Sequence, residues 1–403
     1  MSTAMSTAST PPAMAAKGPS AWGPALESIG LPLLALAGAV LLFGFFVWLG
    51  GTSPVETWVL LFKGAFGDAF SWQNTLQRAA PLMLTALCVA VPQRAGLMVI
   101  GGEGALVLGG LGCAALPYLF TPPAGVAGTA MVLAAGALCG AAWIALVGVL
   151  RQYRGVNETI SSLLMGYLAI GLFKHFVEGP MRDPSSLNKP STLPLPESNL
   201  LGLIPGYEVH WGLVWGVVAC VLAGIWLFGT THGFSTRVVG GNARAARLVG
   251  LPVPALVITA CAVGGGSAGL AGAIEVAAVH TNANASLMAG LGYTGILVSF
   301  VARHNPIAVI PVAILFGGFG AAGSLLQRRL DLPDASVLVL QGFAFVLILA
   351  SEALRGRIGE LWRGRSPAPA ATTPPSASAS PASPSSSPTV NNAAPVVAQQ
   401  EAA

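Results

Sequence analysis

Between Arg94 and Arg151 the chain carries a single charged residue, Glu103, and residues 104–150 contain no Asp, Glu, Lys or Arg. A water-soluble domain cannot present so long an uncharged chain, because roughly a quarter of an ordinary soluble sequence is charged. A bilayer demands it, since a charge at the middle of a spanning helix costs about 2.5–3.5 kcal/mol on insertion scales. The chain therefore reads as a membrane protein. Glu103 becomes conspicuous, because a carboxylate at that depth needs a partner or a wet cavity.

The remaining sequence agrees. Charged residues make up 8% and apolar ones 54% of the 403 residues, and the 51 glycines suit helices whose backbones approach closely. Gly136 with Gly140, and Gly265 with Gly269, have the four-residue spacing that puts small residues on one helix face. A chain this rich in glycine also produces such pairs by chance. Cys88, Cys113, Cys139, Cys220 and Cys261 all fall in apolar runs and read as small buried hydrophobes. The histidines are scattered singly, so no metal site is expected.

Residues 1–27, rich in Ser, Thr, Ala and Pro, read as a flexible tail without the charged start and early apolar core of a secretory signal. Residues 356–403 read as a basic flank and a Pro/Ala/Ser-rich tail that cannot bury enough apolar surface to fold. Residues 28–355 form the membrane domain between them. Its expected class is all-α and polytopic, with about ten spans near 31–49, 79–93, 96–118, 125–150, 159–177, 211–229, 254–274, 287–302, 306–326 and 335–354. Gly and Pro interrupt several of these, which implies broken helices near the core.

Orientation follows from the arginines between spans. Arg237, Arg244 and Arg247 stand in 230–253 without an acidic residue, Arg151 and Arg154 in 151–158, and Arg355, Arg357, Arg363 and Arg365 beyond the last span. The 178–210 loop instead carries Glu178, Asp183, Glu197 and Glu208 against Arg182 and Lys189. Placing that loop outside and the arginines inside puts both termini in the cytoplasm. Arg328 and Arg329 run against the rule, offset in part by Asp331 and Asp334.

Several chemistries are excluded. None of the four lysines follows a glycine as a phosphate-binding P-loop requires. Gly264–Gly269 matches GxGxxG, but no acidic residue stands about 20 positions on, and helix packing explains the glycines better. Ser267 has only His280 near it, at the far end of its span, and the spans hold no paired-aspartate or HExxH arrangement for proteolysis. No catalytic residue, bound cofactor or nucleic-acid partner is expected.

The segment 233–252 is the most informative loop. Asn242 is placed to cap a short alanine-rich helix over 243–248, Gly250 to end it, and Pro252 to open the next span. A short arginine-bearing helix tied between two spans suits a cytoplasmic partner; its arginines alone would equally serve as a positive-inside anchor.

This loop resembles the GxNxxAAxxxGI-type coupling segment of permease subunits in the ABC importer family for branched-chain amino acids, simple sugars and nucleosides. Arg94–Gly104 is similar to the family's RAGLFNIGxEGQ motif, with Val99, Gly102 and Ala105 as departures, and Gly266–Ala273 to its SGxLAGLAGA stretch. Val156–Ile160 and Glu178–Pro184 look like the VNEVI and GPxRDP pair of the nucleoside-importing, basic membrane lipoprotein-associated branch. The likeness runs over about residues 75–355 in unchanged motif order. It implies a bacterial plasma-membrane permease that is not itself an enzyme. The partners implied are cytoplasmic ATPase subunits holding ATP and Mg, a second and different permease, and an external substrate-binding protein. Gly241, Asn242, Ala245, Ala246, Arg247 and Gly250 would form the ATPase-coupling loop.

Candidates for the translocation pathway are Arg94, Gly101, Gly102, Glu103, Gly104, Asn157 and Glu158. For Glu103 two readings stand. It is either neutralised by Arg94 across a chain break, or exposed to a polar solute where Gly101, Gly102 and Gly104 unwind the helix. Asn157 and Glu158 sit at a span's start, where capping is the simpler role. His280–Ser286 reads as a solvated outer loop or a contact for the binding protein. A secondary carrier using Glu103 and Glu275 is the competing class; it would have no use for a coupling loop.

Overall fold

The computed structural model describes residues 22–354 except Leu187 and Asp334. Among them the chain is α-helical, with two isolated bridges, Ser191–Asn284 and Leu203–His210, as its only β pairing. The terminal tails lie outside the described residues, as do the basic-flank arginines from Arg355 onward, apart from 22–27. Those residues, expected in the tail, open the first helix, α1 (Trp22–Leu49).

A helix lies in each expected stretch, although 96–118 is irregular up to Gly101 and 287–302 becomes α-helical only at Leu291. Among the described residues, seven helical segments are long and apolar enough to cross a membrane. They are α3 (Ala69–Gln93), α4 (Gly102–Leu119), α5 (Val126–Arg154), α6 (Glu158–Glu178), α7 (Gly212–Gly229), α10 (Val253–Ile274, continued to His280 by a π-helical turn) and α12 (Pro306–Leu330). α1, α11 (Leu291–Val301) and α13 (Ser336–Leu354) contribute shorter apolar stretches. Three helices go beyond the expected spans: α2 (Pro54–Phe66), α8 (Thr231–Gly241) and the short α9 (Ala243–Leu248), which the loop reading foresaw. α2 carries Glu56 and Lys63, and its mixed composition hid it from a search for uncharged runs.

Local signals set the boundaries. Gly125 at φ +87° precedes α5, and Gly155 at φ +66° ends it after Arg151 and Arg154, whose charges suit a helix C-terminus. Asn305 accepts from the Ile307 N–H and Pro306 occupies the first position of α12.

Glycine builds the centre. α10 packs most extensively on α5, then on α4 and α3. A Cβ placed on Gly140 of α5 would lie 2.6 Å from the Gly269 Cα of α10, and one on Gly269 would lie 2.9 Å from the Gly140 Cα. Gly136 and Gly109 meet the same seam, where a Cβ on Gly136 would stand 2.6 Å from the Gly109 carbonyl oxygen. The two spaced glycine pairs of the sequence therefore face one another. The GxGxxG run lies wholly inside α10, with Gly264 against Cys88 and Pro92 and Gly265 against Ile144 of α5.

The 178–210 segment is stitched to the chain after α10. Thr192 and Ala283 exchange bonds, with Thr192 N–H donating to the Ala283 carbonyl and Ala283 N–H to Thr192 Oγ1, both at 3.0 Å. Leu195 N–H donates to the Thr281 carbonyl at 2.8 Å, and Leu201 N–H to Ala277 at 2.9 Å. His280–Ser286 is thus a paired, half-buried segment rather than a free solvated loop. Asp183, in the Glu178–Pro184 motif, accepts from the Ser185 backbone N–H and hydroxyl, which hold its carboxyl below the ordinary value.

Candidate functional site

The break between α3 and α4 is the centre of the site. Helical structure stops at Gln93 and resumes at Gly102, so the irregular backbone is 94–101, and Gly102 and Gly104 are helical rather than unwound. Backbone polar groups at membrane depth must find partners. Ile100 N–H donates to Ser162 Oγ at 3.0 Å, and the Met98 carbonyl accepts from Thr159 Oγ1 at 3.1 Å, so the start of α6 serves the break. The small residues allow this approach: a Cβ on Gly101 would stand 2.5 Å from the Ser162 carbonyl oxygen, and one on Gly104 would stand 2.7 Å from the Gly166 Cα.

Glu103 is buried, at 2% exposure, yet it does not pair with Arg94. Its Oε1 accepts from the Gly290 N–H at 2.9 Å and its Oε2 from the Gly292 N–H at 2.6 Å. These are the first free donors of α11, so the carboxylate supplies an N-cap from a distant helix, on the end where the dipole favours an anion. Arg94 holds the other end. Its Nε and Nη2 donate to the His304 carbonyl at 3.0 and 2.8 Å, and Nη2 reaches the Arg303 carbonyl at 3.4 Å. Both receiving residues have left-handed backbones, φ 55° and 54°, which costs an L-residue about 1–2 kcal/mol each. The expected Arg94–Glu103 pair is thus replaced by a brace that holds the start of α11 and the turn leading from it to α12.

The braced helix is short. Its 11 residues rise about 16 Å, roughly half the hydrocarbon thickness of a bilayer. It walls two cavities. One, of about 630 Å³, is bordered by the break at Met98–Ile100, by α11 from Gly290 to Phe300 and by α13 from Leu338 to Leu349. The other, of about 380 Å³, is bordered by Arg78 and Leu82 of α3, Gly317 and Gly320 of α12, and the start of α13.

The candidate coupling loop adjoins the same break. Asn242 Oδ1 accepts from the N–H groups of Arg244 and Ala245, both at 3.0 Å, and Gly250 has φ +80° beyond the helix end. Ala246 is fully buried while every other residue from Gly241 to Gly250 is exposed, so Ala246 anchors α9 and is not part of its outward face. Leu248 and Val249, 89% and 73% exposed, give that face an apolar tip that the sequence reading, resting on the arginines and the cap, did not single out. Just before the loop, Gly240 presses on the break: a Cβ on Gly240 would lie 3.0 Å from the Gly96 nitrogen. Arg94 and Arg237 both lie over the Phe228 ring, 5.5 and 5.3 Å from its centroid.

Asn157 caps α6, accepting from Thr159 and Ile160 N–H at 2.9 and 3.2 Å, and Glu158 pairs with Arg151 at 3.2 Å. Glu275 lies 3.6 Å from His280 within its own π-helical turn. Among the described residues no group of three or more His, Cys, Asp or Glu side chains could hold a metal.

Apolar helices long enough to cross a bilayer, seamed by glycine, with an exposed capped helix between two of them, are the build of a polytopic membrane protein. Residues 71–349 match the family described as the branched-chain amino acid transport system permease component, and the chain belongs to that family. It is 30% identical to a glucose ABC transporter permease protein of Haloferax volcanii over 364 residues, 87% of this chain and 95% of the relative. A guanosine ABC transporter permease protein of Bacillus subtilis is 25% identical over 342 residues, 83% and 97% of the two chains. A nucleoside ABC transporter permease protein of Lactococcus lactis is 27% identical over 299 residues, 71% and 81%. The chain is accordingly a multi-pass permease subunit of an ABC importer and not an enzyme, with ATP hydrolysis on a separate subunit. That membership implies ATPase and substrate-binding partners and disfavours the secondary-carrier reading.

Proposed function

We propose that the chain is one permease of a bacterial plasma-membrane importer that carries a nucleoside inward. The observation that carries the coupling part is α9: capped by Asn242, anchored by buried Ala246 and otherwise exposed, with Gly240 against the chain break beside it. It suits docking in a groove of a cytoplasmic ATPase that holds ATP and Mg, with Leu248 and Val249 as the apolar tip and Arg244 and Arg247 around it. Gly241, Ala245 and Gly250 complete that loop. Displacement of α9 would reach Gly96 through Gly240, and so the 94–103 segment and the helix it braces. Glu103 and Arg94 are positioning residues in this reading, and Gly101 and Gly104 let the break seat on α6.

About ten spans with both termini cytoplasmic agree with this arrangement, since the 94–101 break and α9 then share the inner side with Arg151, Arg154 and Arg237. The nucleoside is supported by the guanosine and nucleoside permeases among the relatives and by the Val156–Ile160 and Glu178–Pro184 motifs. Two separate guanosine permeases of Bacillus subtilis match this chain, which favours a different homologue as the second permease. A sugar is the second reading, favoured by the Haloferax glucose permease.

Uptake of labelled guanosine and glucose in the source cells, with and without the gene, tests the proposal. An uncoupler collapses the ion gradient while cellular ATP is maintained. Guanosine uptake lost on deletion but surviving the uncoupler is expected. Loss of glucose uptake alone moves the solute to sugars, and uptake abolished by the uncoupler overturns ATP coupling.

A further inference from the structure

The corner where α7 turns into α8 gathers positive charge without a carboxylate to meet it. Residues 209–274 contain no Asp or Glu, and among the described residues neither Arg94 nor Arg237 forms a salt bridge. Both guanidiniums lie over the Phe228 ring at the end of α7, and Arg237 also stands 6.0 Å from the centroid of Phe234 on α8. Arg94 commits Nε and Nη2 to the carbonyls of Arg303 and His304, which leaves the two N–H groups of Nη1. Half-buried Arg237 is less satisfied. Its Nε is covered by protein without an acceptor, and among the described residues its charge meets the two rings alone. An apolar surface leads to the same corner: Val218, Leu222, Ile225 and Phe228 recur at helical spacing along α7 and are all exposed, and exposed Phe234 flanks the arginines beyond them.

We propose that this corner binds an anionic phospholipid, its phosphate on Arg94 and Arg237 and its acyl chains along the exposed face of α7. The cytoplasmic leaflet as its source rests on the orientation proposed above; the binding itself rests on the geometry. A planar guanidinium fork matches phosphate oxygens, and basic pockets between spanning helices on the inner side are suited to anionic headgroups. Aromatic rings at the same level fit the boundary between headgroups and hydrocarbon. A free phosphate offers the same anion but makes no use of the apolar face. A zwitterionic lipid would bring an ammonium group to two arginines, with no carboxylate to receive it. The site bears on coupling as well, because Arg237 stands one turn before Gly240, the residue that presses on the Gly96 backbone. A headgroup held there fixes α8 against the chain break.

The test uses the full chain, purified in detergent and stripped of lipid, with short-chain phosphatidylglycerol, phosphatidylcholine and inorganic phosphate as probes read by thermal shift. Stabilisation by phosphatidylglycerol well above that by phosphatidylcholine is the expected result. Its apparent affinity should fall about tenfold in Arg237→Gln, the worth of one charge-assisted hydrogen bond. It should stay at the parent's value in Arg329→Gln, which alters an exposed arginine at the end of α12. Equal stabilisation by the two lipids, or equal loss in the two variants, overturns the site. Stabilisation by inorganic phosphate that matches phosphatidylglycerol makes the ligand a free anion and overturns the lipid. A second readout needs no variant: lipid carried through a gentle purification of the parent, identified by mass spectrometry, should be enriched in anionic headgroups over the source membrane. Retained lipid with the membrane's own composition overturns the proposal.

Discussion

Glu103 and Arg94 hold the two flanks of α11: the carboxylate bonds the N–H groups of Gly290 and Gly292 at its start, and the guanidinium bonds the carbonyls of Arg303 and His304 in the turn beyond its end. Glu103 meets the helix end whose dipole an anion complements, and Arg94 ties down the turn that follows the other end. A buried anion and a half-buried cation so close in sequence invite the reading of a simple ion pair, and the geometry gives them separate partners on either side of α11 instead.

A charge exchange separates brace from pair. Arg94→Glu with Glu103→Arg would restore an ion pair, but here it sets a cation against N–H donors and an anion against carbonyls. Uptake and thermal stability of the double variant should fall below those of either single variant. Recovery toward the parent would return the two residues to a mutual pair.

Glu103→Gln should weaken the brace without removing it. The amide keeps one acceptor and turns an N–H donor toward the second glycine N–H, leaving a buried donor unsatisfied at a cost of about 1–3 kcal/mol. Uptake should drop several-fold while the amount of protein in the membrane stays near the parent's. Unchanged uptake kinetics would make the carboxylate dispensable.

At the glycine seam, Gly269→Leu forces a side chain into the Gly136 and Gly140 backbone of α5, overpacking that costs about 1–3 kcal/mol or more. The variant should yield little monodisperse protein on size exclusion in detergent. Gly171→Leu on α6 adds the same side chain where nothing lies within 4 Å and should elute like the parent. Equal behaviour of the two would remove the seam as a determinant of folding.

In α9, Asn242→Ala removes the cap and should cost about 1 kcal/mol of local helix stability, whereas Asn242→Asp keeps an acceptor and should be tolerated. Arg247→Glu and Leu248→Ser change only exposed side chains. They should reduce co-purification of the ATPase and uptake together, at parental abundance. Normal uptake in Arg247→Glu at normal expression would sink the coupling assignment.

The uncharged runs located the spans because the cost of a buried charge is paid residue by residue and is visible locally. Asn242 was legible for the same reason, its cap and the helix it starts being neighbours in sequence. The partner of Glu103 was not: it lies 187 and 189 residues away, and the donors are backbone N–H groups of glycines, which no side-chain chemistry marks. The inward face of Ala246 was hidden similarly, since six residues of α9 are too few to establish a periodicity. The spacing of Gly136, Gly140, Gly265 and Gly269 was visible, but only the fold shows that the two pairs meet each other.

That glycine seam has a mechanical consequence. Where α4, α5 and α10 touch main chain to main chain, little side chain stands between them to change rotamer, so those contacts would pass a push on rather than absorb it. On the proposed coupling, a displacement arriving from α9 would pass through that seam. It would then surface along α13, where Gly342 has nothing within 4 Å, rather than along α11, whose Gly292 and Gly295 press on the backbones of Glu103 and Thr85.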